Sequence, residues 1–343
     1  VFFRLPLILS IIVLAASAAE CCTIPVFRYA LDRWEADKFH LVLPSSASQD
    51  VALQDLLRPL RANGKANMDI TTSRDPAVTV AELRSSRDSG QRLWTGALEA
   101  DSLQMLLDSP TRRQFLEHIL AGDSAVWIIA DNGSAADMAE AERIEKRLKF
   151  LEQVAALPIQ DPNDPDSQLG PGPPLKLKFT TLRVRRDDPA EKLLLKMLAG
   201  PKGVVDPETT SFAAVAFGRG RVLGAWPLVL LDDASLEDAC MFLVGRCGCR
   251  LKNESPGWDI LMNVDWPQVL ADAGRASPTA SAADPAIKVA PMAASSAKAP
   301  PEVVRIEAKV EVPEEGKSRI GVQGAVAGGL AAVAVIGWLF RRK

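Results

Sequence analysis

The chain has only two histidines, His40 and His118, and no serine or cysteine motif surrounds a nucleophile. Hydrolases of the triad type need a base beside the nucleophile and a third group to orient that base, so this class is left without support. His118, next to Glu117 on an apolar-striped helix, reads as a surface or satisfied histidine. No glycine-rich phosphate loop follows a strand signal, because Gly218-Arg219-Gly220 falls within a hairpin pattern. Forty lysines and arginines stand against 43 acidic residues, and the net charge of −3 comes with mixed signs throughout. A nucleic-acid surface would need a basic stripe, so nucleic acid is not an expected partner. The run Asp161-Pro162-Asn163-Asp164-Pro165-Asp166 lacks the alternating spacing and distal glutamate of a calcium loop and reads as a solvated acidic turn.

Long apolar runs occur at both ends, and these indicate location. Leu5 to Ala19 follows Arg4 and closes on the small residues Ala16-Ser17-Ala18-Ala19, the pattern of a secretory signal peptide over residues 1–19. Glu20 before Cys21 argues against lipidation of Cys21, where a small residue is expected. Ile320 to Phe340 is a 21-residue run without a charge, ending in Arg341-Arg342-Lys343. As a helix rising 1.5 Å per residue it matches a bilayer core of ~30 Å, and the basic tail belongs on the cytoplasmic side. Residues 317–343 are thus expected to be a transmembrane anchor, with the preceding domain outside the cytoplasm of a bacterial-type cell envelope. Gly324 and Gly328 form a small-xxx-small pair suited to a homodimer of helices, and a lipid-facing helix is the competing reading. Val312-Pro313-Glu314, the apolar run and the basic tail also loosely resemble bacterial C-terminal sorting sequences; retention of the anchor is the expectation.

Residues 271–316 are rich in Ala, Pro, Ser, Lys and Glu and contain no aromatic residue. Such composition buries too little apolar surface to offset ordering entropy, which predicts a flexible stalk. The remaining residues, 20–270, alternate strand and helix signals. In 20–124 these are a strand at Phe39–Leu43, a helix at Val51–Leu60, a strand at Met68–Thr72, a helix marked by Leu103, Leu106 and Leu107, and another begun by Ser109 as cap with Pro110 at its first position. From 125 onward the pattern sharpens. Val126–Ala130 is a continuous apolar run, as in a strand buried on both faces. Ser134 with Asp137 suggests a capping box opening a long helix with Ala141, Ile144, Leu148, Leu151 and Ala155 on one stripe. After a Pro/Asp/Gly-rich loop at Pro158–Pro174 come a strand marked by Leu177, Phe179, Thr181 and Val184, and a helix at Leu193–Leu198. A hairpin follows at Phe212–Trp226, then a helix capped by Ser235 and Asp238. Gly257-Trp258-Asp259 through Trp266 is read as a segment packed back on the sheet.

The order strand, long helix, strand, helix, hairpin, helix between Val126 and Leu243 resembles the thioredoxin-like fold. The resemblance implies an α/β architecture, a thioredoxin-like sheet with flanking helices over 125–270, and a strand-helix-strand extension before it, either an added layer or a degenerate second copy. It does not imply redox activity. Asp131-Asn132-Gly133-Ser134 stands where thioredoxins carry Cys-x-x-Cys, and Thr210-Ser211 stands where they carry a cis-proline.

Five cysteines remain to be placed: Cys21, Cys22, Cys240, Cys247 and Cys249. Cys247-Gly248-Cys249 with Cys240 is one candidate site for thiol exchange or a soft metal, since adjacent thiolates favour copper(I) or zinc. An oxidising compartment favours the other reading, in which Cys240 is a buried hydrophobe and Cys247 or Cys249 closes a structural disulfide, for example to Cys22. Arg183, Arg185 and Arg186 with Arg219 and Arg221 are candidates for one basic face, or for charges that protect strand edges. The expected function is non-catalytic binding or scaffolding at the cell envelope, with no cofactor. The alternative is a redox or metal-handling role for the Cys-Gly-Cys pair.

Overall fold

The computed structural model describes residues 23–276 except 88–89, 161–162, 202–204, 247–251 and 253–256. All of them fall in the first of two units into which the chain divides, Val1–Asp284 and Pro285–Lys343. The signal-like N-terminus, the stalk beyond Ala276 and the run Ile320–Phe340 lie outside the described residues. Within them, no helix is long and apolar enough to cross a membrane.

The chain forms two mixed sheets with flanking helices, an α/β architecture. The first sheet contains β1 (Phe39–Leu43), β2 (Met68–Thr72), β3 (Ala81–Arg84) and β4 (Arg92–Gly96), in the order β2-β1-β3-β4. β1 and β2 are parallel and joined through helix α2 (Val51–Asn63), whereas β3 and β4 are antiparallel additions. The second sheet contains β5 (Ala125–Asp131), β6 (Phe179–Arg185), β7 (Phe212–Phe217), β8 (Arg221–Pro227) and β9 (Trp258–Asp259), in the order β6-β5-β7-β8-β9. Here too the first two strands are parallel around a helix, α5 (Ala135–Val154), and the next two are antiparallel. The N-terminal part is therefore more than strand-helix-strand: it repeats the order and strand directions of the second sheet.

Alternation along β5 sorts the packing. Val126, Ile128 and Ala130 face one core with Phe39, Leu41 and Leu43 of β1 and with helices α4 (Pro110–Leu120) and α6 (Lys192–Ala199). Ala125, Trp127 and Ile129 face a second core made with α1 (Val26–Arg33), α5 and α7 (Asp233–Val244). Every residue of β5 is buried, as its continuous apolar run predicts. Because the first core draws side chains from both sheets, the regions before and after residue 124 share one interior.

Several local expectations hold. Ser109 accepts the Arg112 amide with Pro110 in the first turn of α4, and Gly218-Arg219-Gly220 turns the β7–β8 hairpin with both glycines at positive φ. The Ser134 hydroxyl accepts the Asp137 amide to open α5, but Asp137 takes the Asn132 amide, so the box is half formed. Others are corrected. α7 is capped by Asp232, whose carboxylate accepts the Ser235 amide, because the helix begins two residues before Ser235. Helix α8 (Trp266–Ala276) continues across the expected stalk boundary at 270, anchored by buried Trp266 and Leu270. The loop after α5 is fastened by the buried Arg28 of α1, which donates to the Gly170 carbonyl at 2.7 Å and to Pro173, while Asp32 accepts the Gly170 amide.

Arg112 joins α4 to its surroundings. Its guanidinium is buried and donates to the carbonyls of Met105, Leu106 and Leu261, the first two in α3 (Ala100–Leu107). Burial lowers its pKa to about 10, against the opposing charges of Glu191 and Asp108. The group stays charged at neutral pH and satisfies carbonyls that α3 leaves open at its C-terminus.

Candidate functional site

The end of β5, where α5 begins, is the first place to look for chemistry. Asp131 accepts the Gly133 amide at 2.9 Å and pairs with Arg183 at 3.3 Å. Asn132 accepts the Ser134 amide, and Ser211, ahead of β7, donates to Asp137 at 2.6 Å. Burial pushes the Asp137 carboxyl up, but the Ser211 hydroxyl, the Asn132 amide, the charge of Arg186 and the Ser134 hydroxyl together hold it below its ordinary value. Gly133 has φ +77°, and a Cβ there would sit 1.6 Å from Nη1 of Arg185, so that guanidinium lies directly over the turn. Serine, asparagine and aspartate are thus committed to one another, a turn held shut by its own side chains.

The cysteine candidates divide. Cys240, on α7, is fully buried and free, and burial pushes its thiol up to about 12, with a smaller opposing pull from Trp127. It is a core hydrophobe and cannot supply a thiolate at neutral pH. Cys22, Cys247 and Cys249 lie outside the described residues. Among the described residues no group of three or more His, Cys, Asp or Glu is placed to hold a metal. His118 pairs through Nδ1 with Asp123 at 3.0 Å, which also accepts the Thr180 hydroxyl, so it is satisfied.

The basic face does not form. Arg183, Arg185 and Arg186 lie at the end of β6 beside Asp131, whereas Arg219 and Arg221 lie at the opposite end of the sheet, where β7 turns into β8. There Arg219 donates to the carbonyls of Leu31 and Asp32, and buried Arg221 pairs with Asp259 at 3.3 Å. These two arginines are structural.

A concave feature runs between β4 and α6. Among the described residues β4 is the outermost strand of its sheet and pairs only with β3. One cavity of about 610 Å³ lies against Gln91–Leu93 and the Ala199–Gly200 end of α6. Another of about 470 Å³ lies against Arg92–Thr95 and the Lys192–Leu193 end, with Met105 on its wall. Arg92, Leu93 and Lys196 border both, making one cleft along which strand and helix run in opposite directions. A smaller cavity of about 190 Å³ continues past Lys192 and Lys196 to Arg186, whose Nε and Nη1 have no hydrogen-bond partner among the described residues.

Two contacts meet at the Gly200 end of the cleft. The Trp258 indole donates to the Met197 carbonyl at 2.8 Å and covers Gly200, where φ is +81° and an added Cβ would lie 2.4 Å from that ring, so a side chain is excluded. Gln91 reaches the Gly200 carbonyl at 3.4 Å and ties the two walls at one end. Three cations and two carboxylates, Asp206 and Glu208, border the cleft. Arg92 pairs with Glu82 at 3.4 Å, while Lys192 and Lys196 share exposed Glu208 at 3.8 and 3.7 Å. Sequence patterning does not identify this site: Lys192 and Lys196 are legible as one face of a helix, but Arg92 lies on a strand with no apolar alternation. No protein-family model and no curated protein sequence matches the chain.

Proposed function

We propose that this chain is a non-catalytic binding module of the bacterial cell envelope, held at the membrane by its C-terminal apolar run, with the β4–α6 cleft as its ligand site. The cleft carries the reading: it is concave, partly apolar and bordered by cations, whereas the polar turn at Asp131–Ser134 is closed on itself. A thioredoxin-like ancestry for the second sheet is part of the proposal. Its support is the order β6-β5-β7-β8, one parallel pair followed by two antiparallel strands, with helices on both faces. Such a fold specifies no activity by itself. The location rests on the signal-like and anchor-like runs in the sequence.

The experiment is a thiol–disulfide exchange assay on the full chain in detergent, beside its Cys247→Ser/Cys249→Ser variant. Both proteins should match the uncatalysed rate, and neither should withhold copper(I) from a chromogenic chelator. A rate or a copper affinity that disappears in the double variant would establish the redox or metal role instead.

A further inference from the structure

We propose that the cleft binds an extended acidic peptide of a partner protein, added as a fifth strand on the free edge of β4; this rests on the binding-module reading above. Every residue from Gln91 to Thr95 borders one or both cavities. A ligand space against the face of a sheet would meet alternate residues, because successive side chains point to opposite faces. At Leu93 a bulge breaks that alternation, since Arg84 pairs with Arg92 and Leu83 with Trp94, and this accounts for the consecutive contacts. Among the described residues β4 has β3 on one side only, so about half of its backbone N–H and C=O groups are turned away from the sheet, toward a position where an extended chain can pair with them.

The opposite wall determines the charge. In the 470 Å³ cavity, Arg92, Lys192 and Lys196 are the ionic residues among the described residues that line it, and none of that lining is a carboxylate. Lys192 and Lys196 are four residues apart on α6, about 6 Å along a helix axis. Alternate residues of an extended chain are separated by about 6.6 Å. Carboxylates two residues apart on an added strand therefore match the two ammonium groups, and the residue between them points to the other face. Glu208 now occupies this charge position, within 4 Å of both lysines, from a side chain that is 57% exposed. It is displaceable, since exposed ion pairs are weak. In this scheme Glu208 is an internal competitor for the incoming carboxylate.

The test is fluorescence anisotropy of a labelled heptapeptide of alternating glutamate and valine with the full chain in detergent. Saturable binding is expected, falling as salt is raised. Lys192→Ala/Lys196→Ala should weaken it by about tenfold, and the corresponding double arginine variant should retain it. Glu208→Gln should tighten it by about threefold, a gain that general damage to the fold does not produce. A fully N-methylated peptide of the same sequence keeps its carboxylates but has no N–H to donate, and it should not bind. Equal binding of the lysine/valine counterpart, or undiminished binding of the N-methylated peptide, overturns the proposal. So does retention on phosphatidylglycerol vesicles with no peptide binding. If no peptide binds while thiol exchange stays at the uncatalysed rate, this ligand is wrong and the binding-module reading stands; if exchange is catalysed, that reading fails first.

Discussion

The two sheets carry the same strand order and directions but bury their strands differently. β5 is inaccessible along its whole length, whereas β1 alternates buried and half-buried residues and β2 has no buried position. The second sheet has helices on both faces, and the core on one of them is shared with the first sheet. The first sheet is buried at Ala81, Glu82 and Leu83 of β3 but less covered along β1, β2 and β4, and among the described residues it leaves β4 as an edge. The same topology thus gives a scaffold in one place and a surface in the other. The difference follows from layering: a sheet covered on both sides has no free polar face to present, while a sheet covered on one side retains one.

That comparison can be broken by mutation, beginning at the centre of the second sheet. Ile129→Ala in β5 removes a fully buried side chain and should cost between about 2 and 5 kcal/mol in chemical denaturation. Ile70→Ala in β2 is only half-buried and should cost under about 1.5 kcal/mol. Equal losses would show that the first sheet is as tightly built as the second. Arg112→Ala comes next, expected to cost about 3 kcal/mol, because it leaves buried carbonyls of α3 and of Leu261 without their donor.

A smaller effect tests the closed turn at the end of β5. Asp137 has a depressed pKa, so its interactions stabilise the fold above its unfolded value, near 3.8, and that contribution is lost as pH falls through the lower folded value. Ser211→Ala should therefore cost up to about 1 kcal/mol at neutral pH, and less as pH drops below 3.8. A penalty unchanged down to pH 3 would assign the serine to packing. Least of all should change at Cys240, which in the folded protein with Cys21, Cys22, Cys247 and Cys249 all replaced by serine should resist maleimide at pH 8 and react once urea unfolds the chain. Rapid labelling without denaturant would mean that the α7 side of the second sheet opens readily.

Much of the second sheet is legible in the sequence because its signals are local and redundant. The apolar run of β5, the stripe on α5 and the glycines of the β7–β8 turn each specify their own element. β3 and β4 are not legible, because they are short and carry Glu82, Arg84 and Arg92, which read as loop. Glu82 is nevertheless buried, with Arg84 at 2.8 Å and Arg92 at 3.4 Å holding its charge. The proposed basic face failed for a related reason. Proximity in sequence and shared charge placed Arg219 and Arg221 with the β6 arginines, but the antiparallel return of β7 carries them to the far end of the sheet.

The sequence by itself determined the strands that are apolar throughout, the periodic helix stripes, the Ser109 and Ser134 caps, and the absence of a thiol pair at the turn after β5. Each depends on neighbours a few residues away, where backbone geometry and hydrophobic period act directly. Only the tertiary structure decided which strand is an edge, that the core is continuous between the sheets, and that Arg92 faces Lys192 and Lys196 across a cleft. Those features join residues about a hundred positions apart, and their relation is set by how the two sheets bury apolar side chains in one shared core.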